Sequence, residues 1–403
     1  MASGTGKQGM TDTRSPRTIA AANGIGQDAA FGAVAPPIYL ASSYKFGGFE
    51  QPGAYDYSRT RNPTRDQLAD TLARLEGGAG AVVVASGMAA IDLVLSRLEP
   101  GECVVAPHDC YGGTQRLLNV RAAKGQFEVV FIDQNDAAAV DTAFATGRQK
   151  LVLIETPSNP LMRVVDIAVI ARKAKAAGAA VAVDNTFLSP ALQQPIALGA
   201  DFVIHSTTKY LNGHSDIIGG AVIAAEAEDA ATLAAWANVT GVTGSPFDAY
   251  QTLRGIRTLF PRVESQQRNA EAVAAFLEAQ PQVKTVHYPG LPSHPGHEIA
   301  RKQQRGFGAM LSFELNGGLE EVRRFVNAVR IFTLAESLGG IESLVAHPAT
   351  MTHASMDPQA RRTAGITDTL LRLSVGLESE GDLLEDLAQA LKSAGIGAEA
   401  LAR

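Results

Sequence analysis

The sequence predicts an α/β protein: a large domain around a mostly parallel sheet, then a smaller C-terminal α/β domain. Three observations carry this. Six short apolar runs alternate with helix-period segments between residues 80 and 207. Each run ends in polar residues at its C-terminal end. Beyond about residue 260 the alternation gives way to sparser strand patterns and a terminal helix pattern.

In order, the runs are GAVVVASG (80–87), ECVVAPHD (102–109), FEVVFIDQ (127–134), KLVLIETPSN (150–159), AAVAVDNTF (179–187) and DFVIHST (201–207). Near-continuous apolar strands suit a sheet covered on both faces. MAAIDLVLSRL (88–98) and DIAVIARKAKAAG (166–178) carry apolar residues at helical spacing. GAMLSFEL (308–315) and LLRLSVGLE (370–378) read as strands, and GDLLEDLAQALKSAG (381–395) as a helix. The expected large domain is 61–260 and the small one 261–403. Met1 to Arg17 is polar and reads as disordered.

Composition excludes several classes. The 403 residues carry a net charge of −6, so a basic nucleic-acid footprint is absent. Apolar stretches are broken well short of a membrane span, and the N-terminus lacks a charged-then-apolar leader pattern. Cys103 and Cys110 have no zinc spacing. Sequence leaves a disulfide between them open, and a reducing cytoplasm is the simpler reading. His294 and His297 form a close pair among Pro and Gly and read as a solvated loop, not a metal site.

Motifs narrow the chemistry further. No GxGxxG follows a strand, which argues against a nicotinamide dehydrogenase. No P-loop and no GxSxG elbow occurs. In a parallel sheet, ligands bind outside the carboxyl ends of the strands, where Ser86, Asp184, Ser206 and Lys209 are expected. SGMAA (86–90) runs from strand end into helix start; Gly87 admits close backbone approach, and a helix N-terminus favours an anion. Ser206 and Thr208 add two hydroxyls. Asp184 ends a buried strand, where an acid is costly unless paired. A protonated pyridine nitrogen would pair it and become an electron sink. Lys209 then offers an amine for an aldehyde, given a lowered pKa. Each of these residues alone reads as an ordinary turn or surface group. Together they point to pyridoxal 5′-phosphate.

The chain also resembles the Cys/Met-metabolism branch of fold type I pyridoxal-phosphate enzymes. The likeness lies in YDYSRTRNPTRDQLADTLARLEGG (55–78), ASGMAA, PHDCYGGTQRL (107–117), ETPSNPLMRVVDIA (155–168), VDNTFLSPALQQP, HSTTKYLNGHSD, LAESLGGIESLVAHPATMTHASM (334–356) and LLRLSVGLE. It implies that Lys209 links to the cofactor and shuttles protons, and that Asp184 pairs with the ring nitrogen. Gly87, Met88, Ser206 and Thr208 would hold the phosphate, and Tyr111 would stack on the ring. Residues 1–60 would be an arm lending Tyr57 and Arg59 to a neighbour's phosphate in a homotetramer. Arg372 would grip the substrate α-carboxylate in a fork that lysine could not copy, beside Asn159 and Ser337.

The implied reaction joins an O-acyl-L-homoserine, expected to be the succinyl ester, to L-cysteine. The product is L-cystathionine, in methionine biosynthesis. Arg116 is the expected anchor for a distal succinyl carboxylate, although from sequence alone it reads as an exposed helix arginine. Glu336, in LAESLGG, does not separate synthesis from γ-cleavage of cystathionine, and it argues against β-cleaving and sulfhydrylating members. Cystathionine γ-cleavage and sulfhydrylation of the homoserine ester are the rival activities. A non-catalytic cofactor-fold binding protein is the rival class, and the intact Lys209, Asp184 and Arg372 argue against it.

Overall fold

A computed structural model of the chain describes residues 14–354, 356 and 358–396. Its centre is a seven-stranded sheet: β1 (Gly80–Val84), β2 (Cys103–Pro107), β3 (Glu128–Ile132), β4 (Gln149–Glu155), β5 (Ala180–Asp184), β6 (Phe202–Ser206) and β7 (Gly220–Ala224). The spatial order is β1-β7-β6-β5-β4-β2-β3. Only β7 runs antiparallel to its neighbours, pairing with β1 and β6. All six expected runs are strands, and β7 is an addition to them.

Strand residues alternate between two packed faces, as a period of two requires. Val104, Leu151, Leu153, Phe202 and Ile204 pack with Leu93 and Val94 of the helix Gly87–Leu95. Val105, Val152, Val181 and Val183 pack with Ile167 and Ile170 of the helix Ile167–Ala176. Both faces are therefore covered, which explains the apolar runs.

The second sheet comprises β8 (Val283–His287), β9 (Met310–Leu315), β10 (Thr333–Leu334), β11 (Leu344–Ala346) and β12 (Leu370–Ser374). Its order is β10-β11-β12-β9-β8. The helix Glu380–Ala394 packs on it through Leu383, Leu387 and Leu391, and the helix Leu259–Glu278 runs across the expected boundary at 260/261. One core joins Leu72 and Val203 of the large half to Phe313 and Leu387 of the small half.

Two expectations change. Residues 1–13 of the supposedly disordered N-terminus lie outside the described residues, but Ser15 caps a helix, Pro16–Ala22. Proline at its first position suits a helix start, where an N–H would be unpaired anyway. His294 is buried rather than solvated: its Nδ1 accepts the Gly296 N–H at 3.0 Å. The two cysteines are free and buried.

Candidate active site

A cavity of about 290 Å³ opens at the C-terminal ends of β4, β5 and β6. Its wall includes Ser86, Gly87, Met88, Tyr111, Asn159, Asp184, Ser206, Thr208, Lys209, Glu336, Ser337 and Arg372. The small half thus supplies Glu336, Ser337 and Arg372 to a site whose floor belongs to the large sheet.

The anion end is built by three elements. Ser86 caps the helix Gly87–Leu95, its Oγ accepting the Ala89 N–H at 3.1 Å. The first helical N–H groups, at Gly87 and Met88, have no partner within the helix. A Cβ on Gly87 would lie 2.7 Å from the Ser206 Cβ, so only glycine lets the helix start close on β6. The Ser206 hydroxyl makes no hydrogen bond among the described residues. The Thr208 hydroxyl is already engaged, accepting the Gly219 N–H at 3.0 Å.

Asp184 ends β5 half-buried and has no ion pair among the described residues. Burial raises its pKa, opposed by the Thr186 hydroxyl and N–H and by nearby His205. The Thr186 N–H donates to Asp184 Oδ1 at 3.0 Å, and its Oγ1 accepts the Ser206 N–H at 2.9 Å. Tyr111 stands at the wall, 40% exposed, its ring seated by Gly113, where any Cβ would meet it.

Lys209 follows β6 and donates from Nζ to Ser337 Oγ at 2.6 Å. Burial and then the Arg372 charge lower its pKa to about 8, with Glu336 opposing. Ser337 holds a left-handed φ of 89°. A non-glycine residue in that region is uncommon and clusters at functional sites. Here its carbonyl accepts from Arg372 Nη2 at 2.8 Å while its hydroxyl meets the lysine.

Arg372 lies inside β12, 3% exposed. Nη1 donates to Asn159 Oδ1 at 3.0 Å, and Nε has no partner. No carboxylate pairs with it among the described residues. Burial lowers its pKa to about 10. A buried, unpaired guanidinium is costly, so it favours an incoming anion.

Tyr57 and Arg59 stand outside this cavity. Arg59 Nη1 donates to the carbonyl and Oδ1 of Asn238, both at 2.6 Å, and Tyr57 is 48% exposed. Arg116 is exposed and lines a separate groove with Gln115, Asn119 and Val120. Sequence reasoning missed Glu155 and Thr186 as site residues. Glu155 was visible only as a strand tail; its Oε2 accepts the Tyr111 N–H and its Oε1 the Asn159 N–H, each at 2.9 Å. Burial, then Asp184, pushes its carboxyl well above the ordinary range.

Pyridoxal phosphate fits these residues. An anion cradle, an acid without a cation, an aromatic wall and an amine of lowered pKa face one cavity.

Known proteins agree. The family described as Cys/Met metabolism PLP-dependent enzyme matches residues 17–392. A cystathionine gamma-synthase of Escherichia coli is 56% identical over 96% of this chain and 100% of its own. A cystathionine beta-lyase of Lactococcus lactis is 48% identical over 92% of this chain and 97% of its own. A solved cystathionine gamma synthase of Xanthomonas oryzae, in complex with aminoacrylate and cysteine, is 55% identical with a TM-score of 0.94, covering 95% of this chain and 99% of the other. The chain belongs to the Cys/Met metabolism family of pyridoxal-phosphate-dependent enzymes.

Proposed function

We propose that this enzyme makes L-cystathionine from an O-acyl-L-homoserine and L-cysteine by replacement at Cγ. The observation that carries the substrate class is Arg372: a buried guanidinium without a carboxylate, facing the same cavity as Lys209. An amino acid supplies the missing α-carboxylate. The similarity to gamma-synthases over nearly the whole chain supports the reaction.

Bound pyridoxal phosphate supplies the electron sink. Gly87, Met88, Ser206 and Thr208 would hold its phosphate, Asp184 its ring nitrogen and Tyr111 its face. The protein's own work is positioning and proton transfer. Arg372, braced by Asn159 and the Ser337 carbonyl, aligns the α-carboxylate. Lys209, neutral in part at neutral pH, takes the α-proton at Nζ and returns a proton later. Ser337 Oγ keeps that nitrogen in place. The acyl group leaves Cγ as its carboxylate, and cysteine, having lost its thiol proton, bonds to Cγ through its thiolate sulfur. Glu336 stands exposed at the wall, able to meet the incoming amine.

The finer assignments are ours. The acyl group is succinyl and Arg116, on the helix Gly112–Ala123 that follows Tyr111, holds its distal carboxylate. The enzyme is a cytoplasmic homotetramer whose arm, residues 1–60, lends Tyr57 and Arg59 to a neighbour. Both stand away from their own cavity, and the arm exposes Phe31, Leu40 and Phe49. The domain division at 260/261 is likewise a proposal.

The test is product identification. Purified enzyme with O-succinyl-L-homoserine and L-cysteine should yield cystathionine and succinate. Cysteine and 2-oxobutyrate formed rapidly from cystathionine alone would favour the γ-lyase reading, and a preference for sulfide over cysteine the sulfhydrylase reading.

A further inference from the structure

We propose that Glu155 is a positioning residue that ties the cofactor side of the cavity to its substrate side. It ends β4 at the cavity wall, 7% exposed. Its two oxygens serve two different segments: Oε2 accepts from the Tyr111 N–H and Oε1 from the Asn159 N–H. Tyr111 begins the helix Gly112–Ala123 and carries the aromatic wall. Asn159 carries the amide oxygen that braces Arg372. One side chain therefore sets both the ring face and the carboxylate fork.

The chemistry requires an acid here. Two backbone donors converge on the two oxygens, and a carboxyl group, ionised or protonated, keeps an acceptor lone pair on each. A glutamine of the same shape would satisfy one donor and turn its own NH₂ against the other. The acid is retained against clear opposition. It is buried, has no ion pair among the described residues, and lies in register with Asp184 on β5. An ionisable group kept there in spite of these costs is a positioning device rather than a filler of space, because an apolar residue would fill the space at lower cost.

The substrate half of this inference rests on Arg372 binding the α-carboxylate; the cofactor half does not. Glu155→Gln should raise KM for O-succinyl-L-homoserine about tenfold, with kcat changed less than about threefold. The Kd of the apoenzyme for pyridoxal phosphate, read by fluorescence quenching, should rise at least about threefold. Arg372→Ala is assayed in parallel. If Arg372→Ala leaves KM unchanged, the substrate reading fails and the cofactor Kd alone decides for Glu155. If Arg372→Ala raises KM while Glu155→Gln moves neither KM nor cofactor Kd, the inference is overturned. A merely structural role would lower Tm and leave both constants intact. Should Glu155→Gln fail to fold, hydrogen exchange on wild-type holoenzyme decides. Slow exchange at both the Tyr111 and Asn159 amides supports the bridge, and fast exchange at both overturns it.

Discussion

At the scale of single residues, the site is a set of charges whose environments set their states. Lys209 is the clearest. Its ammonium is disfavoured by burial and by Arg372, so its pKa falls from 10.5 to about 8. The neutral amine then dominates above about pH 8. Capture of pyridoxal phosphate by the apoenzyme should accelerate as pH rises from 7 to 9 and level off beyond. A rate still climbing towards pH 10.5 would refute the lowered value. Borohydride should fix the cofactor to the peptide bearing Lys209, and fixation elsewhere would refute its role. Arg372 supports a second prediction. Arg372→Lys keeps the charge but loses the fork, since one ammonium cannot meet Asn159 Oδ1, the Ser337 carbonyl and a carboxylate with fixed geometry. KM should rise at least about tenfold for succinyl and acetyl esters alike, because a hydrogen bond to a charged group contributes roughly 1.5–3 kcal/mol. Arg116→Ala should damage only the succinyl ester; equal losses would return Arg116 to a structural role. Much of this was legible in the sequence. Lys209, Asp184 and Ser206 stand at strand ends, where the type of side chain betrays its use. Glu155 was not legible, because its partners are backbone N–H groups, which no sequence pattern marks. The nearness of Asn159 to Arg372, 213 positions away, came from the family resemblance alone, since no local pattern marks it.

At the scale of elements, strand direction decided what could be read. Parallel strands deliver their C-terminal ends to the cavity, so each announces itself by a polar tail. β7 runs the other way and brings Gly220 to the cavity end beside Ser206, with no tail to betray it. Its glycine is a steric requirement, since a Cβ there would collide with the Ser86 carbonyl. Gly87 is the matching requirement on the helix. Gly87→Ala should push the helix start off Ser206 at a cost of roughly 1–3 kcal/mol. Cofactor affinity should fall more than the Tm of the apoenzyme, since the displaced N–H groups serve the anion end. Equal binding of pyridoxal phosphate by this variant and wild type would separate the helix start from the phosphate.

At the scale of the whole molecule, the arm and the core behave differently. The arm places Phe31 at 95% and Phe49 at 91% exposure, an apolar display that a second copy would cover. A shared site gives a quantitative expectation. Lys209→Ala and Arg59→Ala should each be nearly inactive alone. Refolded together in equal amounts, they should regain about a quarter of wild-type activity, the fraction of sites drawing both intact residues from different chains. Mixed oligomers as inactive as their parents would refute the sharing. The role proposed for the arm could not be read from its polar and apolar pattern, because that role lies with residues of another copy. The core has the opposite character: it binds Leu72 and Val203 to Phe313 and Leu387 without a seam. For recombination between relatives, this sets where crossovers survive. A breakpoint at residue 260 would pair two halves of one core with different histories and cut the helix Leu259–Glu278, so most such chimeras should be lost. Residues 24–61 contribute nothing to that core, and exchanging them should leave each subunit folded while changing which subunits recognise one another.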